Sequence, residues 1–248
     1  MKKLLLGSAA LLAASAAPMA AHAGEVSVST SIDYVSDYVF RGVSLAEQAI
    51  QPGVEVSVGD FTVGGWYSTG IGEASILALD EFDLYASYGL ALSDTMSLSI
   101  GATYYHYPQG GDFFETKDGG AGTYEVSAGL SFDTVLAPSV TAYYDFTLKG
   151  FTLEGAVGHS VATSDKTSLD LGLTAGLVTS DVLGDWEYGT ASAAIGYAFT
   201  DDVSTYLGAN YTLSSSNDEG LGLGYLDALS GNGKSDLLWA GVGVAAGF

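Results

Sequence analysis

From residue 26 to its last residue the chain alternates. Apolar side chains fall on every second position through twelve successive segments, and no apolar run beyond residue 23 approaches the ~20 residues a membrane-spanning helix needs. A period of two is the mark of a strand with two unlike faces. The last segment, Leu237 to Phe248, is the clearest. One parity carries Leu238, Ala240, Val242, Val244, Ala246 and Phe248, and the other carries Trp239, Gly241, Gly243, Ala245 and Gly247. A tilted strand crosses a bilayer in about 9–11 residues. Lipid offers the backbone no hydrogen-bond partner, so strands that enter it must close into a barrel. The expected fold is therefore all-β, a transmembrane antiparallel barrel of twelve strands occupying residues 24–248.

The first 23 residues read differently. Lys2 and Lys3 precede an apolar run from Leu4 to Leu12, and Ala21-His22-Ala23 supplies small residues at cleavage-site spacing. This is the pattern of a secretory signal peptide, cleaved after Ala23. Removing it takes two lysines and moves the formal charge from −22 to −24. Such acidity in a chain poor in aromatics would suggest disorder, but 16 tyrosines, 34 glycines and a mean hydropathy of +0.28 suggest a folding chain. With no cysteine anywhere, disulfides, thiolate metal sites and a lipid-modified N-terminus drop out, and a Gram-negative envelope destination fits.

Short connections rich in Asp and Gly alternate with long ones. Gly59-Asp60, Ser93-Asp94-Thr95, Ser164-Asp165-Lys166 and Thr200-Asp201-Asp202 read as tight turns at one end. At the other end the chain spends long stretches between strands, including one expected from Ser36 to the strand at Val54, another from Pro108 to Gly122, and the longest from Ser214 to Lys234. That asymmetry, short periplasmic turns against longer extracellular loops, belongs to outer-membrane barrels. Two aromatic girdles are expected on the lipid side: Phe61, Phe132, Phe199 and Phe248 near the short turns, and Tyr34, Tyr67, Tyr104, Tyr124, Phe151 and Tyr211 near the long connections. A soluble two-sheet sandwich also alternates, but would give the polar parity to bulk water.

After the first strand comes Ser36-Asp37-Tyr38-Val39-Phe40-Arg41-Gly42-Val43-Ser44. With the leader, the length and Tyr143-Tyr144-Asp145, this stretch resembles the TorF family of porins across the whole mature chain. The resemblance implies an outer-membrane barrel and a channel for small solutes or ions, and brings no catalytic residue or cofactor. A terminal aromatic on an alternating strand likewise resembles the signal read by the barrel-assembly machinery. That machinery, through the strand ending at Phe248, is an expected partner, together with outer-membrane lipid and lipopolysaccharide.

If the apolar parity faces lipid, eight acids point inward: Asp33, Glu55, Glu81, Asp83, Glu125, Asp145, Glu154 and Asp170. One base shares their parity, Arg41, which either constricts the lumen or clamps Asp37 or another loop acid. Carboxylates without bases must be hydrated, hydrogen-bonded or protonated. Two readings stay open: a water-filled, cation-preferring pore, or a filled barrel in which Trp66, Tyr85, Tyr105, Tyr107, Tyr143 and Tyr206 occupy the space and bond the acids. In the second, the barrel is non-conducting and serves a structural, adhesive or display role. The inward glycines, among them Gly64, Gly176 and Gly243, either widen the lumen or serve sheet curvature beside a tyrosine.

Enzyme chemistry finds little support. His106 and His159 fall on the outward parity, Ser160 points away from His159, and no GxSxG, HExxH or phosphate-binding loop occurs. No cofactor is expected. Asp218 and Glu219 match no calcium-loop spacing, so no metal is expected, and the negative charge disfavours nucleic acid.

Overall fold

The computed structural model describes residues 26–71, 80–116, 120, 122–215 and 236–248. The leader expected over residues 1–23, the acids Asp218 and Glu219, and Lys117 and Lys234 lie outside them. Twelve strands follow in order: β1 (Val26–Phe40), β2 (Val43–Val58), β3 (Phe61–Gly70), β4 (Glu81–Ser93), β5 (Met96–His106), β6 (Thr123–Phe132), β7 (Ser139–Asp145), β8 (Gly150–Ala162), β9 (Thr167–Ser180), β10 (Trp186–Ala198), β11 (Val203–Ser214) and β12 (Asp236–Gly247). Each pairs antiparallel with its sequence neighbours, and β12 returns to β1 to close the sheet. Closure runs from Ser29 opposite Gly247 to Val35 opposite Gly241. The terminal residue seals the seam, with Phe248 and Val28 exchanging backbone hydrogen bonds of 2.8 and 3.1 Å. The wall itself is closed without an open edge, which is what a strand-built membrane protein requires.

The alternation sorts as its chemistry demands. Ile32, Val54, Val63, Leu84, Ile100, Leu173, Ile195, Leu207 and Val242 stand on the outer surface, while Asp33, Gln51, Ser68, Asn210 and Thr212 are buried within. The polar parity therefore lines an enclosed lumen, where a sandwich would give it to bulk water. Among the described residues, two small clusters of buried apolar side chains form inside, Val178 with Trp186 and Tyr188, and Val35 with Ala49 and Trp239. Of the expected girdle, Phe61, Phe132, Phe199 and Phe248 are outward and exposed at the short-turn end, as are Tyr34, Tyr124, Phe151 and Tyr211 at the other. Tyr104 departs from the expectation. The β5–β6 connection folds back over the outer wall, seats Phe113 and Phe114 with ring centres 5.6 and 4.9 Å from Tyr104, and leaves it 5% exposed. The same fold covers His106, whose ring lies 4.5 Å from Phe113. His159 stays outward, its Nδ1 2.8 Å from the Val135 carbonyl.

One expectation is overturned. The stretch after the first strand is no loop, because β1 runs on to Phe40 and returns at Val43 through a two-residue turn. Arg41 and Gly42 both hold positive φ, +47° and +83°, the left-handed pair on which tight hairpin turns rely. Beyond Val35 this hairpin leaves the wall: β1 pairs with β12 only as far as Val35, and β2 pairs with β3 only from Ala49. Two irregularities bend it. Tyr38 faces Ala46 while Val39 faces Ser44, which leaves Leu45 as an extra residue, and Gln48 has a φ of +48°. Bulges of this kind re-aim a strand.

Candidate functional site: the lumen and its mouth

The bent hairpin points inward across the mouth at the end opposite the tight turns. Tyr38 packs against Trp66 of β3 with ring centres 5.4 Å apart, and Phe40 against Tyr105 of β5 at 6.1 Å. From β10, Trp186 Nε1 donates a 2.8 Å hydrogen bond to the Arg41 carbonyl, fixing the tip. A Cβ added to Gly42 would collide with Tyr188, so only glycine fits where the turn touches the wall.

Arg41 then reaches β6. Its Nη1 and Nη2 donate to Glu125 Oε2 and Oε1 at 2.7 and 2.8 Å, a two-pronged ion pair. The guanidinium also sits 4.7 Å from the centre of the Phe40 ring and 4.4 Å from that of Tyr143. Arg41 therefore reaches the lumen, as the constriction reading required, and its partner is a wall acid on the far side.

The other inward acids are held largely by tyrosines, in a recurring arrangement. Glu55, Gly64 and Tyr85 lie in one row across β2, β3 and β4; Glu154, Gly176 and Tyr188 across β8, β9 and β10; Asp33, Gly243 and Tyr206 across β1, β12 and β11. In each row the tyrosine ring lies over the glycine and its hydroxyl donates to the acid one strand further on. The distance is 3.2 Å to Glu55 and 2.8 Å to Asp33, and Tyr188 bonds Glu154 in the same way. A Cβ on Gly64 or Gly176 would fall within the covering ring, and one on Gly243 would meet both Asp33 and Tyr206. At these three positions the glycine makes room for an aromatic rather than for solute. Tyr105 and Tyr107 do the same work for Glu125 and Glu81, at 3.0 and 3.3 Å. Asp170 accepts from Ser168 at 2.9 Å.

Two acids differ. Asp145 faces inward, but its Oδ1 accepts the backbone N–H groups of Thr147 and Leu148 at 2.8 and 2.7 Å, so it caps the β7–β8 connection. Asp83 is 9% exposed, and its Oδ1 has no hydrogen-bond partner among the described residues. Asp33 Oδ2 and both amide atoms of Asn210 are likewise buried and unpartnered there, the groups at which water or a polar solute would find bonds to make. The eight acids and six aromatics of the inward parity are buried or partly buried in the structure. Inward aromatics not anticipated are Tyr38, Phe40, Trp186 and Tyr188, whereas Trp239 already stood on the inward parity. The signal for Trp186 and Tyr188 was present, since Trp186, Tyr188, Thr190 and Ser192 share one parity ahead of the apolar set that begins at Ala191.

A closed twelve-stranded antiparallel barrel with an apolar outer face and a polar, acid-bearing lumen is an outer-membrane-type, porin-like barrel. The chain belongs to the family described as "Bacterial protein of unknown function (Gcw_chp)", which matches residues 19–231. Among solved structures it is similar to the KdgM porin, with a TM-score of 0.57 at 11% identity, covering 90% of this chain and 99% of that one. It is also similar to the NanC porin (TM-score 0.52, 14% identity, 88% of this chain and 98% of that one). A third likeness is to an outer-membrane channel from Pseudomonas putida F1 (TM-score 0.52, 11% identity, 94% and 98%). At these identities the likeness is one of fold. No curated protein matches the chain.

Proposed function

We propose that this chain is an outer-membrane, porin-like channel for passive diffusion of small polar solutes or ions, cation-preferring through its acidic lumen. The observation that carries this reading is the charge balance inside. Among the described residues seven of the eight inward acids contact no base, six of them bonding hydroxyls or backbone amides and Asp83 leaving its Oδ1 unpartnered, while Arg41 is committed to Glu125. A low-dielectric wall focuses such a field along the pore, drawing cations in and excluding anions. Likeness in fold to porins and the resemblance of Ser36–Ser44 to TorF family porins support the same reading, which carries with it an outer-membrane location reached by a cleaved leader. Assembly would proceed through the strand ending at Phe248, in a bilayer of phospholipid and lipopolysaccharide.

A second reading, a non-conducting barrel with a structural or display role, is favoured by one observation: the hairpin over residues 36–48 and the tyrosine rings occupy much of the mouth. Planar-bilayer recording of the refolded mature chain under a salt gradient separates the two. Discrete current steps with a cation-signed reversal potential support the channel. A folded, inserted barrel that carries no current either in native form or after its mouth is cleared, silent in both, supports the alternative.

A further inference from the structure

The hairpin is built as a separate piece of the molecule. Its stem ends where two wall pairings end together, at Val35 and at Ala49, which face one another and are almost fully buried beside Trp239. Beyond that point, among the described residues, 36–48 make no strand pairing except with each other. At its foot the Gln48 carbonyl accepts the Ile71 N–H at 2.7 Å and Ser36 Oγ accepts the Ala240 N–H at 2.9 Å; beyond the foot the piece is held across the lumen by side-chain contacts. The Arg41–Glu125 pair and the Trp186 hydrogen bond grip the tip, and aromatic contacts to Trp66, Tyr105 and Tyr143 support its flank. Among the described residues a swing would cost the Ile71–Gln48 backbone hydrogen bond rather than a ladder of them, whereas the wall strands are paired on both sides.

From this we propose that residues 36–48 form the constriction of the channel and that Arg41 is its specificity-determining residue. Latched, the hairpin narrows the mouth and sets the one lumenal guanidinium against Glu125, so that the narrowest level is close to charge-balanced. Unlatched, the same level becomes wider and gains a free carboxylate, and the pore passes more current with stronger cation preference. Two features of the sequence serve this arrangement: the extra residue Leu45 and the left-handed Gln48 turn the hairpin off the wall, and Gly42 lets its tip lie against Tyr188. The proposal rests on the channel reading above.

The test uses the full mature chain, refolded and recorded in planar bilayers. Replacing residues 36–48 with Asn-Gly joins Val35 to Ala49 by a two-residue turn, and both wall pairings keep their full length. The expected result is a severalfold rise in single-channel conductance with a reversal potential shifted further toward the cation value. Arg41→Gln should give a smaller change in the same direction, and it serves if the shortened chain does not fold. The exchange Arg41→Glu with Glu125→Arg should return both quantities toward the native values, because the pair is rebuilt with its partners swapped. A rise from a silent native barrel supports the proposal equally. Native and shortened chains that conduct alike overturn it and leave the channel reading intact. If both are folded, inserted and silent, the channel reading fails and the proposal falls with it.

Discussion

Arg41 and Glu125 stand 84 residues apart in the chain and meet across the lumen through two contacts of 2.7 and 2.8 Å. Both side chains are largely withdrawn from solvent, at 11% and 5% exposure. A guanidinium and a carboxylate held in this way are strongly coupled, since removing one leaves the other charged in a poorly hydrated place.

Arg41→Ala should therefore destabilise the barrel toward the low end of the ~3–5 kcal/mol seen when one partner of a buried pair is removed, because the Tyr105 hydroxyl still serves Glu125. Urea unfolding in lipid bilayers reads this. The charge-swapped double variant should recover most of the loss, a recovery that additive, independent effects would not give.

The rows of acid, glycine and tyrosine make a second prediction. Gly176→Val puts branched carbons where the Tyr188 ring lies, and should cost about 1–3 kcal/mol through overpacking and the displaced Glu154 bond. Gly158 is the control, since a Cβ there meets nothing nearer than the Leu171 carbonyl at 3.6 Å. Gly158→Val should fall well below Gly176→Val in the same unfolding assay.

Selectivity should divide the acids by what holds them. Neutralising Glu81 and Asp83 together, as Glu81→Gln with Asp83→Asn, removes charge beside the hairpin flank and should move the reversal potential toward the anion side. Asp145→Asn should leave that potential nearly unchanged while costing about 1 kcal/mol of stability, because its carboxylate caps Thr147 and Leu148. An unchanged potential in the conducting double variant would remove Glu81 and Asp83 from the selectivity account.

Phe248 is 79% exposed on the outer face, while its backbone closes onto Val28. Phe248→Ala should keep the backbone seal and change refolded stability little, yet lower the amount assembled into outer membranes of expressing cells. Comparing refolding yield in detergent with membrane yield in cells separates recognition by the assembly machinery from stability.

How much of this could be read in advance follows from where the physical constraint is local. Lipid imposes a period of two on every spanning strand, so Val54, Val63, Ile100 and Val242 declare their face, and with it the inward parity of Glu55, Asp83 and Glu125. The hairpin escaped because its two sides do not face lipid and interior. Inside the mouth Tyr38, Val39 and Phe40 are all partly covered, and the extra Leu45 interrupts any alternation that remained. The partner of Arg41 was equally out of reach, since only closure of the sheet brings β6 opposite the β1–β2 turn. Tyr188 was missed for a simpler reason. Its strand begins five residues before the apolar set that signals it, and the inward parity, rich in Gly, Ser and Ala, carries no hydrophobic mark.

The central claim is that this barrel conducts and that its acids choose the ion. The most direct measurement is the single-channel conductance and zero-current potential of the refolded mature chain across a planar bilayer under a tenfold salt gradient, the native mouth compared with the shortened hairpin. The account predicts discrete steps, larger in the shortened chain, with a potential on the cation side of zero in both. Folded, inserted barrels that stay silent in both forms, or a potential on the anion side, would contradict it.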